Sequence, residues 1–560
     1  MTKFSTLLVG ALMAGLSAMA QNAVPKSWHM MDKSVNGVYG VSAEKAYQFI
    51  KSKNLKSKTV IVAVIDSGID TLQEDLKTVL WTNPKEIPGN GIDDDHNGYV
   101  DDVHGWNFIG GKDGRNVKED SYEAARVYHS LKAKWSDKEI DVSTLSEADK
   151  AEYSMFKKAE GKIIGDAGGL SALDLMFLKR LKVSLYSADS ILKLGMGKEI
   201  YTGKQLESYK TQNSEESRAK MAFVEILKKN DALDQTNKDF LDGLSEYLTG
   251  EERKAEAKTK APKDYRKEIV GDDETNINDR YYGNNDIMAS TPMHGTHCSG
   301  IIAAIRGNGK GMDGIADNVR IMMVRAVPDG DEHDKDIANA IRYAVDNGAQ
   351  IISMSFGKDF SPQKKWVDDA FRYAESKNVL LVHAAGNDSK NVDTADNFPN
   401  PVFIDGKGRA DNVITVGAST GDSKKGGLTA SFSNYGKKEV DVFSPGQQIY
   451  STLPGGNLYG NLSGTSMACP LVAGIAALTL EYFPNLTAKQ LKYVIEKSAQ
   501  APEEQVLQPG TEELVDLKDI SKTGGVVNAY EALKLASTLK ADKKVKIVLP
   551  KPKMVKRKNG

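Results

Sequence analysis

A serine, a histidine and an aspartate, each at the junction of a turn with a strand or helix, are the residues of this 560-residue chain best placed to do chemistry. Ser466 lies in GTSMACP (Gly464–Pro470) and opens a run of small apolar residues, Met467 to Leu480, that predicts a buried helix. Pro470 falls in the first turn, where a missing N–H costs little. A serine at a helix N-terminus has free backbone N–H groups and the positive end of the dipole beside it. Both stabilise negative charge on an oxygen that the serine has attacked. Taken alone, the position also suits an ordinary N-cap. Asp66 ends the apolar run of KTVIVAVIDSGID (Lys58–Asp70), a buried-strand pattern stopped by a Ser-Gly turn. It therefore sits at the carboxyl end of a strand, where open α/β sheets carry their chemistry. His294 stands in MHGTHCSG (Met293–Gly300), ahead of the apolar IIAAI, at the start of a second helix. An acid to orient, a base to take a proton and a hydroxyl to attack make a nucleophilic triad in the order Asp, His, Ser.

Rival chemistries fail on the same residues. Asp66-Ser67-Gly68 has no second D-[ST]-G elsewhere, so a paired-aspartate site lacks its other half. GTSMA lacks the second glycine of G-x-S-x-G, and the order of the three residues differs from that of the α/β-hydrolases. His294 and His297 are three apart, but no HExxH accompanies them, and His297 reads as structural, its ring in a local hydrogen bond.

At these residues the chain resembles the subtilisin-like serine proteases, the subtilase family. VIDSGID, HGTHCSG and GTSMACP correspond in order to that family's three catalytic motifs. The resemblance extends to IISMSFG (Ile351–Gly357), HAAGN (His383–Asn387), the segment Ala430–Gly456 and TGGVVNAYEAL (Thr523–Leu533), so that about residues 37–110 and 280–535 are covered. It implies that Asp66 orients His294, that His294 takes the proton of Ser466, and that Asn387 with the Ser466 N–H forms the oxyanion hole. Without the other motifs Asn387 would read as a turn residue. The resemblance also implies that Ser355, Phe356 and Gly357, with Ala384, Ala385 and Gly386, line a cleft for extended peptides. The expected fold is a doubly wound, mainly parallel α/β sheet, and the expected activity is endopeptidase cleavage of polypeptides through an acyl-enzyme. Two alternatives are an exopeptidase whose cleft is blocked at one end by helices inserted between Asp66 and His294, and a non-catalytic peptide-binding protein on the same fold. The acidic loop DGDEHDKD (Asp329–Asp336) predicts a preference for basic substrate residues.

The elements that must position these residues are spread widely, since Asp66 and His294 are 228 positions apart. Two segments fill the interval. GNGIDDDHNGYVDDVHGWNF (Gly89–Phe108) places Asp93, Asp95, Asn97, Gly98, Tyr99 and Asp101 at positions 1, 3, 5, 6, 7 and 9 of an EF-hand loop. His104 replaces the glutamate of position 12, so other ligands, such as Asp94 or Asp102, must complete a site. Crowded carboxylates repel unless a cation is present, which predicts structural calcium, with magnesium or manganese also compatible. The second segment, 111–271, has no proline between Pro88 and Pro262 and carries apolar residues at helical spacing: Leu175, Leu178, Leu181, Leu185, then Met221, Val224, Leu227. It predicts a helical subdomain of three to five helices, broken at Gly165–Gly169 and at Thr249–Gly250, and inserted where it could gate the cleft.

The resulting organisation is a secretory signal at 1–20, a catalytic domain at 21–110 and 272–535, the helical insertion at 111–271, and a basic tail at 536–560. The N-terminal stretch has an early lysine, an apolar run and an Ala-x-Ala site at Ala18–Ala20, which predicts cleavage near Ala20 and a secreted or periplasmic protein. That run is too short to span a bilayer, and no transmembrane segment is expected elsewhere. Residues 21–36 are too few for a folding-assistant propeptide. Two cysteines, Cys298 and Cys469, are too few for a disulfide framework and read as small buried thiols near the site. A net charge of −2 argues against nucleic acid as a partner.

Overall fold

The apolar run that ends at Asp66 forms β1 (Val60–Asp66), an interior strand of a seven-stranded sheet. The other strands are β2 (Gly105–Asn107), β3 (Val319–Arg325), β4 (Ile351–Met354), β5 (Leu380–Ala384), β6 (Val413–Ser419) and β7 (Val442–Pro445). Their order is β2-β3-β1-β4-β5-β6-β7, and every neighbouring pair is parallel. The period of two along β1 sorts its side chains: Val62 and Val64 enter the core on one face, Ala63 and Ile65 the core on the other. Buried on both faces, such strands read as continuous apolar runs, and helices must cover each side. The computed structural model describes residues 25–540 apart from 137–139, 166–169, 231, 234 and 290–291. The signal segment with Ala20, all but the first residue of Gly165–Gly169, and the tail beyond Lys540 lie outside the described residues.

Helix α1 (Ala43–Ser52) joins the core on the Val62 face. The described residues of 111–271 hold five long helices, α2 (Glu123–Trp135), α3 (Glu147–Ile164), α4 (Ala172–Met196), α5 (Ser214–Lys229) and α6 (Asn237–Glu256), and two short ones, Gly203–Ser208 and Tyr265–Ile269, more than the three to five expected. Ser146, Ser171, Asn213 and Thr236 cap α3 to α6 with side-chain acceptors, which supplies partners for otherwise orphaned N–H groups. Helices α4, α5 and α6 share one core built on Leu185, Phe223, Leu227 and Phe240, while α2 and α3 share another that includes Phe360 from the segment after β4.

Two details of this region depart from the sequence reading. Thr249–Gly250 does not break a helix, because α6 runs through it. Gly250 instead admits the Tyr122 hydroxyl, which lies 2.8 Å from where a Cβ would stand. Met221 is 67% exposed, because the buried stripe of α5 runs through Ala219, Phe223, Val224 and Leu227.

Helix α7 (Met293–Ala303), α10 (Thr465–Tyr482), α11 (Ala488–Lys497) and α12 (Ala529–Ala536) cover the Val62 face, and α8 (Asp334–Asp346) and α9 (Lys364–Ser376) the opposite one. The chain is thus doubly wound, as the sequence predicts. Helix α10 is the one helix among the described residues long and apolar enough to cross a membrane, and 89% of that window is buried in the core.

Three carboxylates of the acidic loop Asp329–Asp336 are paired within the fold. Asp329 pairs with Arg253, Asp334 with Lys358, and Asp336 with Arg266, while Lys335 pairs with Asp272. The expected preference for basic substrates therefore cannot draw on Asp329, Asp334 or Asp336. His333 is buried between Asp120 (3.1 Å) and Glu274 (2.5 Å). Burial and Arg126 oppose its charge, but the two carboxylates outweigh them and lift its pKa from 6.5 to about 9. A raised histidine pKa stabilises the fold fully below 6.5, and that stabilisation is lost as pH rises towards 9. Thermal unfolding of the wild type should lose about 2 kcal/mol across that interval, and His333→Gln should lack this component of the pH dependence.

Candidate active site

Each site residue stands where one element ends and another begins. Asp66 is the last residue of β1 and is 2% exposed. Its Oδ1 and Oδ2 lie 2.8 and 3.0 Å from Nδ1 of His294, the second residue of α7, and Oδ1 also accepts the Ser67 N–H at 2.7 Å. Gly295 allows this approach, since a Cβ there would stand 2.2 Å from the Gly68 carbonyl oxygen and 3.1 Å from the Asp66 Cβ. His294 keeps 35% of its side chain exposed. Ser466 is the second residue of α10, and its hydroxyl donates to the Ser355 carbonyl at 3.1 Å. The Cys298 thiol joins the two helices, lying 3.9 Å from His294 Nδ1 and donating to the Ser466 carbonyl at 3.3 Å.

Both cysteines are buried free thiols, as the sequence predicts. Burial pushes Cys298 well above its ordinary 9.0 and Cys469 to about 11, so neither supplies a thiolate beside the serine. His297 is buried with Nε2 on the Gly460 carbonyl at 3.2 Å, and burial lowers it to about 3, so its ring stays neutral and structural.

Asn387 follows β5 and is oriented by the residue before Ser466. The Thr465 N–H and hydroxyl both donate to its Oδ1, at 2.8 and 3.0 Å. Thr465 in turn accepts the Gly386 N–H at 3.1 Å. With Oδ1 committed, the amide donor Nδ2 is left for another acceptor. Nδ2 and the Ser466 nitrogen each lie 3.6 Å from where a Cβ on Gly464 would stand, so the Asn387 amide sits beside the start of α10.

The sheet provides a slot for an extended chain. β1 lies between β3 and β4, but it stops at Asp66, whose carbonyl accepts the Ala326 and Val327 N–H groups at 3.0 and 3.3 Å. Beyond that point the continuations of β3 and β4 stand about two strand spacings apart, roughly 9.5 Å, which is room for one added strand. On the β3 side, Asp329 and Asp331 bond outward to Lys118, Asp120 and Ser121, and Gly330 between them packs closely on the Asp120 carbonyl. On the β4 side lie Ser355, Phe356 and Gly357, with the Phe356 carbonyl tied to His383 Nε2 at 2.8 Å. Burial lowers His383 to about 4, so it serves as a neutral donor. Of the residues expected along β5, Gly386 keeps a positive φ of 99° beside Asn434, Ala384 is buried against the main core, and Ala385 is buried in a separate apolar cluster with Tyr39 and Phe443. The Ala384 and Ala385 side chains are thus core, leaving only main chain for a ligand.

The loop Gly89–Phe108 is densely hydrogen-bonded. The Asp101 carboxylate accepts the N–H groups of Gly89, Asn90 and Gly91. Asn97 Oδ1 accepts the Tyr99 N–H and its amide donates to Asp102. Asp93 and Asp95 do converge, but with Glu86, and one oxygen from each of the three lies within 4.8 Å of the others. Glu86 is 7% exposed, its Oε2 is buried without a hydrogen-bond partner, and burial raises its pKa above the ordinary 4.5. No spacing pattern marks Glu86 in the sequence, since it precedes the loop.

A family model described as the subtilase family matches residues 57–522. The chain is 36% identical over 254 residues to thermitase of Thermoactinomyces vulgaris, covering 44% of this chain and 77% of that protein. It is 41% identical over 207 residues to a thermophilic serine proteinase of Bacillus sp. (strain AK1), covering 37% of this chain and 46% of that protein, about half its length. An extracellular protease of Xanthomonas campestris is 34% identical over 230 residues, covering 38% of this chain and 37% of that one.

Proposed function

Because the chain belongs to the subtilase family of serine proteases, we propose that it hydrolyses peptide bonds through an acyl-enzyme on Ser466. The observation that carries this reading is the meeting of Asp66 with His294 at 2.8 Å beside the N-terminus of the serine helix. Asp66 holds the His294 Nδ1–H, which leaves Nε2 unprotonated as the base. His294 takes the Ser466 proton as Oγ attacks the scissile carbonyl, and returns it to the leaving amine. Water then repeats the sequence on the acyl-enzyme. Asn387 Nδ2 and the Ser466 N–H hold the oxyanion. The Ser355 carbonyl that holds the serine hydroxyl is also an acceptor for a substrate N–H, so an arriving peptide displaces the hydroxyl towards His294. Asn387→Leu keeps the size and removes the donor, and it should lower kcat by about 10²–10³-fold with little change in KM, read from steady-state peptide hydrolysis.

An unfolded polypeptide such as casein is the first substrate to try. Release of acid-soluble peptides is expected, and its absence with the folded protein would contradict the reading. A binding protein without activity would leave the Asp66–His294 contact without a purpose. The sequence expectation of cleavage at internal bonds competes with removal of terminal residues, and a contact across the slot, described below, favours the second. Secretion is proposed from the signal-like residues 1–20 and is supported by the extracellular protease among the relatives. Residues 111–271 are taken as an insertion into one catalytic domain, docked on both sides of the cleft through Arg253–Asp329 and Lys158–Asp396.

We further propose calcium at Glu86, Asp93 and Asp95, where hard oxygen donors and a buried, unpartnered carboxylate oxygen suit the ion. It would brace the loop that follows β1. Calcium at one hundred times its Kd should stabilise the fold by about 2.7 kcal/mol. Glu86→Gln should weaken calcium binding at least tenfold by titration calorimetry. Since burial raises the Glu86 carboxyl, protons compete with the ion and affinity should fall as pH drops towards that raised value.

A further inference from the structure

The slot between the continuations of β3 and β4 has one closed end. Ser355, whose carbonyl holds the Ser466 hydroxyl, is three positions before Lys358. An extended segment of that length spans about 10 Å, enough for about three residues of an added strand. There the Lys358 ammonium crosses to the opposite edge and donates to the Glu332 main-chain carbonyl at 2.7 Å. Glu123 of α2 and Asp334 of α8 hold it in place at 2.8 and 2.9 Å. Arg126 of α2 donates to the same Glu332 carbonyl at 3.3 Å and to that of Asp331 at 3.1 Å. The Asp331 carboxylate accepts the Glu123 N–H at 2.8 Å, so α2 is capped by the cleft edge it seals. Lys358, Glu123 and Asp334 are all buried. A peptide strand that ran further would have to break this cluster.

The charge at the closed end selects which terminus fits. Asp120, Glu123, Asp331, Glu332 and Asp334 converge there against the cations Arg126, His333 and Lys358. Glu332 is the odd member: it is 2% exposed, and its Oε1 is sealed with no hydrogen-bond partner. Burial, opposed by Lys358 and aided by Asp331, lifts its carboxyl to about 7. An incoming α-carboxylate would add to this surplus of negative charge, whereas an α-ammonium relieves it.

Resting on the peptidase reading above, we propose that the closed end receives the free α-ammonium of the substrate, with Glu332 as its acceptor. The enzyme then releases short peptides, about three residues long, from the N-termini of polypeptides. The insertion acts as a ruler, since α2 supplies the groups that fix where the slot ends.

The test uses the full chain and a series of fluorescence-quenched peptides of one sequence, with the N-terminus free or acetylated, and products identified by mass. Free peptides should yield N-terminal fragments of two to four residues, stepwise, and acetylation should lower kcat/KM at least a hundredfold. Glu332→Gln keeps the shape and should narrow that ratio at least tenfold, chiefly by raising KM for free peptides. Equal cleavage of free and acetylated peptides, or long N-terminal fragments from internal cuts, would overturn this proposal and leave the serine chemistry standing. A Glu332→Gln ratio unchanged from wild type would overturn the assignment of the acceptor. Hydrolysis of no peptide at all would overturn both this proposal and the peptidase reading.

Discussion

Ser466→Ala is expected to lower kcat/KM for peptide hydrolysis by about a million-fold and to leave thermal unfolding nearly unchanged. The two halves of this result follow from different atoms. The hydroxyl is the attacking group, so no other residue can take over the acyl-enzyme, and the two nearby thiols are held neutral by burial. The fold, by contrast, asks little of that hydroxyl, whose hydrogen bond goes to the Ser355 carbonyl. The start of α10 is held by Thr465, which bonds Asn387, and by the Ser466 carbonyl, which accepts from Cys298 and Ser355. None of these contacts uses the serine side chain.

Asp66→Asn should cost about 10⁴-fold in kcat while preserving the local geometry. Oδ1 of Asp66 accepts the Ser67 N–H at 2.7 Å, and an asparagine would keep its oxygen there. Its Nδ2–H₂ would then replace Oδ2, 3.0 Å from His294 Nδ1, and this donor competes with the retained oxygen at 2.8 Å and favours an unprotonated Nδ1. The imidazole proton moves to Nε2, the nitrogen that has to receive the Ser466 proton, and the base is lost. Neither a cavity nor a clash is involved, so unfolding should shift by no more than about 1 kcal/mol. The distinguishing readout is kcat measured beside unfolding, which separates a lost tautomer from a lost fold.

What the sequence discloses here is what is local. Asp66 is visible because an apolar run must end where a strand leaves the core, and Ser466 because a glycine and a small hydroxyl residue precede a buried helix. The parallel, doubly wound sheet follows from strands such as Val60–Asp66 that are apolar on both faces. Partners distant in the chain are not visible. The acidic loop Asp329–Asp336 reads as free charge until Arg253, Arg266 and Lys358 are brought to it by the fold. Glu86 is missed because its place beside Asp93 and Asp95 depends on how the chain doubles back. Gly250 reads as a helix break, yet it records the close approach of Tyr122 from another element. Periodicity and turn chemistry encode elements, whereas the neutralisation of charge is settled only by packing.

The most direct measurement is labelling with a phosphonofluoridate, which traps an activated serine irrespective of the preferred substrate. The intact mass should rise by one phosphonyl group, peptide mapping should place it on Ser466, and His294→Ala and Asp66→Asn should slow its formation by orders of magnitude. A folded protein that takes up no label, or takes it up at Ser466 equally well without His294, would contradict the account.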